Sequence, residues 1–339
     1  MSKIFLERVI RTCTTCNFSD IFKATIILAV GGCLTSFAVQ AKNADQPAKT
    51  AQAVSKNDYC ELNFPSGPPV AEILWNTGRE DAGKVKGRVL ATGKIKVPKS
   101  LNLEVILTME ALEQMRSIEQ LATLPVINVI ASKLDFTDAH MQHLKNFKGL
   151  TYLNLDGTLV SDKCLPQVGN FACLMSLRLS GTDVVGTNLE ALNKLRYLSV
   201  LNLHGINLKP GSLAKLKPIL GQMRELDLSA VNLSKVDVAV LPAAKDLKSL
   251  DVHGNKAFDD SCIAYLTNMK SLKSLNITDT AVTEKSLEHL SKLPRLRSVV
   301  VRARTFWKSG LPKETEGRLR VVDSASKSNA TLDVFKPLH

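Results

Sequence analysis

Residues 150–222 read LTYLNLDGTLVSDKCLPQVGNFAC (150–173), LMSLRLSGTDVVGTNLEALNKLRY (174–197) and LSVLNLHGINLKPGSLAKLKPILGQ (198–222), one pattern written three times. Aligned at the first residue, further copies begin at Met223, Leu247, Leu272 and Leu296, so the period is 24 residues with two steps of 25. Self-similarity at a fixed period of this size means stacked supersecondary units rather than one deep core. Each copy contains two periodicities. Leu153 and Leu155 flank Asn154 in the alternation of a short half-buried strand, whereas Leu165, Val168 and Phe171 recur every three residues, as in a helix or tight turn. A strand, a turn, a helical return and a second strand parallel to the first make one coil of a solenoid.

The pattern continues upstream with its leucines replaced. Val126, Val129 and Ala131 take the strand positions, and Phe136, Met141, Leu144 and Phe147 take the return. One period earlier, Val105 and Leu107 fit a strand, followed by helical spacing through Leu112, Met115, Ile118 and Leu121. These residues resemble the leucine-rich repeat family, whose strand motif reads LxxLxLxxN. The segments DGTLVSD (156–162) and TDTAVTE (278–284) are similar to its bacterial form, LxxLxLxxTxVTDxxLxxLxxL. The resemblance covers residues 102–306, about eight to nine repeats. It implies an α/β fold: a leucine-rich-repeat solenoid, a horseshoe or arc with parallel β-strands on the concave face and helices on the convex face. The family's ninth-position Asn is present as Asn255. Thr158, Thr182 and Thr280 replace it, while Ile206 and Val231 cannot make its hydrogen bonds, which predicts looser or shifted coils there. Thr137, Ser161 and Thr283 stand just before helical portions, where a hydroxyl accepts from a free backbone N–H.

The ends of the chain differ from this array. Lys3, Arg8, Arg11 and Lys23 precede an apolar run from Ala24 to Ala38, and Val39-Gln40-Ala41 supplies small residues for cleavage, so residues 1–41 read as a signal peptide or membrane anchor. Val30-Gly31-Gly32-Cys33 also resembles a lipoprotein cleavage box. Ala24 to Ala41 nearly suffices to span a bilayer if uncleaved. Each alternative puts the remainder outside the cytoplasm, whether periplasmic, at the cell surface or secreted. Residues 42–58 read as a flexible linker and 59–101 as an N-terminal cap, with β-like runs at 88–91 and 94–97 around a Thr92-Gly93 turn. Residues 307–339 read as a C-terminal cap, with a strand-like 318–322, and a loose tail from Ser324.

The chain is basic, with a formal charge of +12, and only 5% of its residues are aromatic. Basic residues are densest in the cap, at Lys84, Lys86, Arg88, Lys94, Lys96 and Lys99, which marks a patch for an anionic surface. No specific nucleic-acid motif, phosphate-binding loop, dinucleotide fingerprint or zinc-finger spacing is present. Cys13 and Cys16 form a CxxC inside the leader, without a second pair to complete a metal site. Of the remaining cysteines, Cys164 and Cys262 lie four coils apart, beyond disulfide reach. A Cys60 bridge to Cys164 or Cys173 is open if the cap folds back, the alternative being buried thiols.

Candidate chemistry lies on the outward strand residues Tyr152, Asn154, Asp156, Arg178, Asn202, His204, Asp227, Asp251, His253 and Asn276. Of these, the row Arg178, Asn202, Asp227, Asp251, Asn276 forms a ladder of short hydrogen-bonding groups with rungs about 4.8 Å apart, suited to a peptide, loop or glycan. His204, Asp227, Asp251 and His253 have the side chains of a metal or acid/base site. The two histidines, however, are two coils apart, roughly 10 Å. Ser180 or Ser229 beside His204 mimics a nucleophile pair without any oxyanion motif. His140 and His143 read as return-face surface. The expectation is therefore an exported, non-catalytic protein- or glycan-binding scaffold that uses its strand face, with no cofactor, metal or catalytic residue. The alternatives are a metal-assisted or hydrolytic enzyme using the strand-face His and Asp residues, and an intracellular substrate-receptor adaptor resembling ubiquitin-ligase subunits.

Overall fold

The computed structural model describes residues 58–76, 85 and 87–302, together with the strands at 320–323 and 331–333. The leader, residues 42–57, Lys84 and Lys86 lie outside the described residues. The chain forms two compact units, residues 1–127 and 128–339.

In the first unit, β1 (Tyr59–Asn63) pairs antiparallel with β4 (Lys94–Pro98). β2 (Ala71–Asn76) pairs antiparallel with both β3 (Gly87–Leu90) and β5 (Asn102–Leu107). The two β-like runs thus exist, and they go to different partners instead of forming one hairpin. Between them Gly93 sits at φ 58°, the left-handed backbone that favours glycine, and Thr92 Oγ1 donates to the Gly67 carbonyl at 2.7 Å. β5 is followed by short helices at Met109–Glu113 and Met115–Ile118, the strand-then-helix order expected of a first repeat. Phe64, Val70, Ile73, Leu103, Val105 and Ile118 are buried and form its core.

In the second unit the strands are β6 (Val126–Ile130), β7 (Tyr152–Asn154), β8 (Ser176–Arg178), β9 (Val200–Asn202), β10 (Glu225–Asp227), β11 (Ser249–Asp251), β12 (Ser274–Asn276) and β13 (Ser298–Val301). Each is parallel to the next and advances by one period, so that Leu153, Leu177, Leu201, Leu226, Leu250, Leu275 and Val299 occupy one inward row. Their side chains are all but inaccessible to solvent. β14 (Arg320–Asp323) continues the parallel pairing where a strand was expected. The tail is not wholly loose: β15 (Thr331–Asp333) pairs antiparallel with β14. This is a leucine-rich-repeat solenoid, with strands on one face and returns built from short 3-10 and α segments such as Asp162–Cys164, Leu189–Lys194 and Asp260–Leu266.

Two periodic devices hold the coils together. The chain leaves each of β6 to β12 through a left-handed residue, in turn Lys133, Gly157, Gly181, Gly205, Ala230, Gly254 and Asp279, all with φ between 52° and 75°. Side chains at this backbone cost roughly 1–2 kcal/mol each, which is why Gly recurs there. The second device is a carboxylate that reaches into an adjacent coil. Asp138 accepts from the Ser161 N–H at 2.9 Å, Asp162 from Val185 at 2.9 Å and Asn188 at 3.2 Å, and Asp260 from Thr283 at 2.8 Å. Asp237 reaches the other way, to Gly211 and Leu213 at 3.0 Å.

Ser161 and Thr283 also cap as expected, accepting from Lys163 and Lys285. Thr137 instead turns to a side chain: its Oγ1 lies 3.2 Å from His140 Nδ1, and its N–H donates to the same nitrogen at 2.9 Å. The coils of Ile206 and Val231 keep the strand register rather than shifting. Both side chains are buried, and Asn255 of the following coil accepts from Leu233 N–H at 2.8 Å and donates to the Leu228 carbonyl at 2.8 Å, serving the coil that lacks its own Asn. Cys60, Cys164, Cys173 and Cys262 are not joined in disulfides, so the bridge from Cys60 is absent. Burial, followed by the charges of Asp138 and Asp162, pushes the Cys164 thiol far above its ordinary value.

Candidate functional site

The outward strand positions are organised by an Asx turn repeated along the sheet. The side chain of the last residue of a strand accepts from the N–H two residues further on. Asn154 takes that of Asp156, Asn202 that of His204, Asp227 that of Ser229, Asp251 that of His253 and Asn276 that of Thr278, at 2.8–3.1 Å. Arg178 cannot accept, and Asp156 of the preceding coil takes the Ser180 N–H instead at 2.8 Å. The same carboxylate binds Arg178 through Nε at 2.6 Å and a terminal guanidinium nitrogen at 2.5 Å. Asn202 donates sideways to Asp227 at 3.1 Å, and Asn276 to Asp251 at 2.9 Å. The expected ladder is present, and much of its hydrogen-bonding capacity is directed at its own backbone. Tyr152 is half-buried at the start of β7, with its hydroxyl 3.4 Å from the Asn154 amide.

At the centre the structure brings together two residues that backbone spacing alone separates. The rings of His204 and His253 stack with centroids 5.5 Å apart and planes 29° apart. They meet because the residue between them in the row is Ser229, small and fully buried. Ser229 Oγ is hydrogen-bonded to Asp227 and lies 2.7 Å from His204 Nδ1. A hydroxyl that donates to the carboxylate must accept from the ring, so His204 carries its proton on Nδ1. His253 Nδ1 lies 2.9 Å from Asp251 and likewise carries a proton. In both rings it is therefore Nδ1 that is tied to the strand face. The Ser229 oxygen is closed off from solvent and its proton is committed to Asp227, the reverse of an activated nucleophile.

Asp251 raises the pKa of His253, chiefly through this hydrogen bond, against the opposing effect of burial; the Asp227 and Asp279 charges add to the rise. Since the folded value lies above the ordinary one of about 6.5, the stabilisation is complete below that pH and is lost as pH climbs through the raised value. Among the described residues, no group of three or more His, Cys, Asp or Glu is spaced to hold a metal ion. The signal for the cluster was legible as His204, Ser229 and His253 at one register position, though the role of Ser229 as the spacer was not.

The remaining candidates lie elsewhere. In the cap, Arg88 pairs with Glu72 at 3.2 Å, and Lys94 and Lys96 both pair with Glu61, at 2.9 and 3.2 Å; Lys99 is exposed. His140 is half-buried against Phe136, and burial lowers its pKa. No helix among the described residues is long and apolar enough to cross a membrane.

The chain matches no protein-family model and no curated protein. Among solved structures it is similar to an internalin from Listeria monocytogenes, at 20% identity over 64% of this chain and 64% of the internalin, with a TM-score of 0.41. It is also similar to internalin C2 of that organism, at 19% identity over 57% of this chain and 79% of that one, with a TM-score of 0.40. The likeness thus spans just under two thirds of the first internalin's length.

Proposed function

We propose that this chain is an exported leucine-rich-repeat protein acting as a non-catalytic scaffold, holding a protein or glycan partner across its strand face with His204 and His253 at the centre. One observation carries this reading: the Asx turns and cross-strand bonds fix the polar side chains in place before any partner arrives. Preorganisation of this kind lowers the ordering cost of binding. Residues 1–41 then serve as leader or anchor, 42–58 as tether, 59–101 as cap, 102–306 as the repeat array and 307–339 as its closing cap and tail.

The test uses the full chain as bait, comparing wild type with His204→Ala/His253→Ala and with Tyr265→Ala, an exposed position in the return helix Asp260–Leu266. Loss of the captured partner with the double variant and retention with Tyr265→Ala supports the strand face. Equal capture by all three abandons it. Amino-terminal sequencing of the natural product tests export: a start near Lys42, or a lipidated Cys33, supports it, whereas an intact Met1 with cytoplasmic fractionation overturns it.

A further inference from the structure

A second surface, independent of the strand-face reading, lies where the chain turns into each strand. The N–H of Arg224 donates to the Ser199 carbonyl at 2.7 Å; Lys248 donates to Arg224, Lys273 to Lys248 and Arg297 to Lys273, each at 2.8 Å. These bonds stack four cations in adjacent coils, one rung apart at about 4.8 Å. The same turns add Lys245, Lys270 and Arg295, so three successive coils read KDLKS (245–249), KSLKS (270–274) and PRLRS (294–298). Upstream, the row is occupied by Thr151, Met175 and Ser199.

The row is accessible and short of counter-charge. Lys248, Lys273 and Arg297 are exposed, Arg224 is half-buried, and Met223, Leu247, Leu272 and Leu296 lie buried beside them. Arg224 pairs with Asp246 at 3.2 Å. Lys248, Lys273 and Arg297 make no ion pair among the described residues. The Lys248 ammonium is pushed below its ordinary pKa by burial, then by the charges of Arg224 and Lys273 on either side, despite Glu225 and Asp246 nearby. On the strand side the register sets Ser249, Ser274 and Ser298 beside the cations.

We propose that this row, Arg224 to Arg297, is a binding site for an extended acidic polysaccharide carrying sulfate or carboxylate groups. A single file of cations fits a thin linear polyanion, while the adjoining serines offer partners to sugar hydroxyls. A single-stranded nucleic acid needs aromatic platforms for its bases. The aromatic residues between 222 and 302 are Phe258, which is buried, and Tyr265, which stands on a return helix. A flat anionic membrane would engage a broad patch rather than one file.

The test measures binding of the purified full chain to heparin, as a defined sulfated uronate polymer, across a range of salt concentrations. The triple variant Lys248→Ala/Lys273→Ala/Arg297→Ala is expected to bind about tenfold or more weakly, with the slope of log affinity against log salt reduced by roughly three, one for each cation removed. Lys94→Ala/Lys96→Ala in the cap should leave both unchanged. Thermal melting confirms that each variant is folded, and Lys248→Gln/Lys273→Gln, which keeps a polar side chain but removes the charge, should lose binding in the same direction. An unchanged triple variant, or an equal loss from the cap variant, overturns the site. Tighter binding to a single-stranded DNA of matched length and charge, or to phosphatidylserine vesicles, overturns the polysaccharide assignment.

Discussion

The two most basic regions of the described chain treat their charges in opposite ways. In the cap, cations that are neighbours in sequence face carboxylates across the sheet, and Glu61 alone serves both Lys94 and Lys96. At the strand starts, cations 24 or 25 residues apart are brought side by side, and three of them face no carboxylate at ion-pair distance among the described residues. Antiparallel pairing in the cap lets each strand choose a partner of complementary charge. Parallel stacking of near-identical coils instead places like on like, so whatever a repeat carries at one position is multiplied into a row. Density along the sequence is therefore a poor guide to an unneutralised surface, and recurrence at one register position is the better one.

The largest expected effect tests whether the row depends on the layer beneath it. Leu272 is fully buried beside Lys273. Leu272→Ala should cost roughly 2–5 kcal/mol, by lost burial plus the cavity left behind, and should disturb the row while leaving β1 and β4 of the cap paired. Urea unfolding measures the first, and hydrogen exchange of the two regions measures the second. Equal loss of protection in the cap would show that the two units do not open separately.

Asp156 is the extreme of a paired charge, since it serves Arg178 twice and the Ser180 N–H once, with both side chains mostly covered. Asp156→Ala should cost about 2 kcal/mol, the scale of hydrogen bonds to a charged group. An effect near zero would place this pair with weak surface ion pairs. Glu61 is the exposed counterpart. Hydrogen bonds from Lys94 and then Lys96 hold its carboxyl below the ordinary range. The contribution of this lowered group is present above the ordinary carboxylate value and fades as pH falls through the lowered one. Glu61→Gln should leave the melting temperature almost unchanged at neutral pH and remove this acid-side dependence. It should also raise heparin binding through the cap, because two lysines are released.

Much of the architecture was legible because a 24-residue period repeats both of its sub-patterns. The inward leucines, the parallel register and the outward rungs follow directly. What a single repeat cannot display is which coil answers which. Asp138, Asp162 and Asp260 cap the coil after them, Asp237 the coil before, and Asn255 serves the coil of Val231. His204 and His253 were separated by a backbone distance, whereas their rings lean together over Ser229. The cap lacks any period, so the divergence of β3 and β4 to different partners had no sequence signal.

The smallest expected effect discriminates most finely between the two basic regions. An exposed lysine in a balanced setting changes stability by no more than about 0.5 kcal/mol when removed. In the cap, the sign of that small change should be a loss, because Lys94→Ala deletes an attraction to Glu61. In the row, Lys273→Ala removes a repulsion felt by Lys248, so the sign should be a gain of a few tenths of a kcal/mol, about the size of one like-charge pair. The gain should be largest at low ionic strength and vanish near 1 M salt, where the screening length falls to about 3 Å. The Lys248 ammonium, followed by NMR, should move back toward its ordinary value in the same variant. A loss of stability on Lys273→Ala that persists in high salt would mean that Lys273 acts by packing rather than charge. The row would then be another supported surface of the fold, and not one left open for an anion.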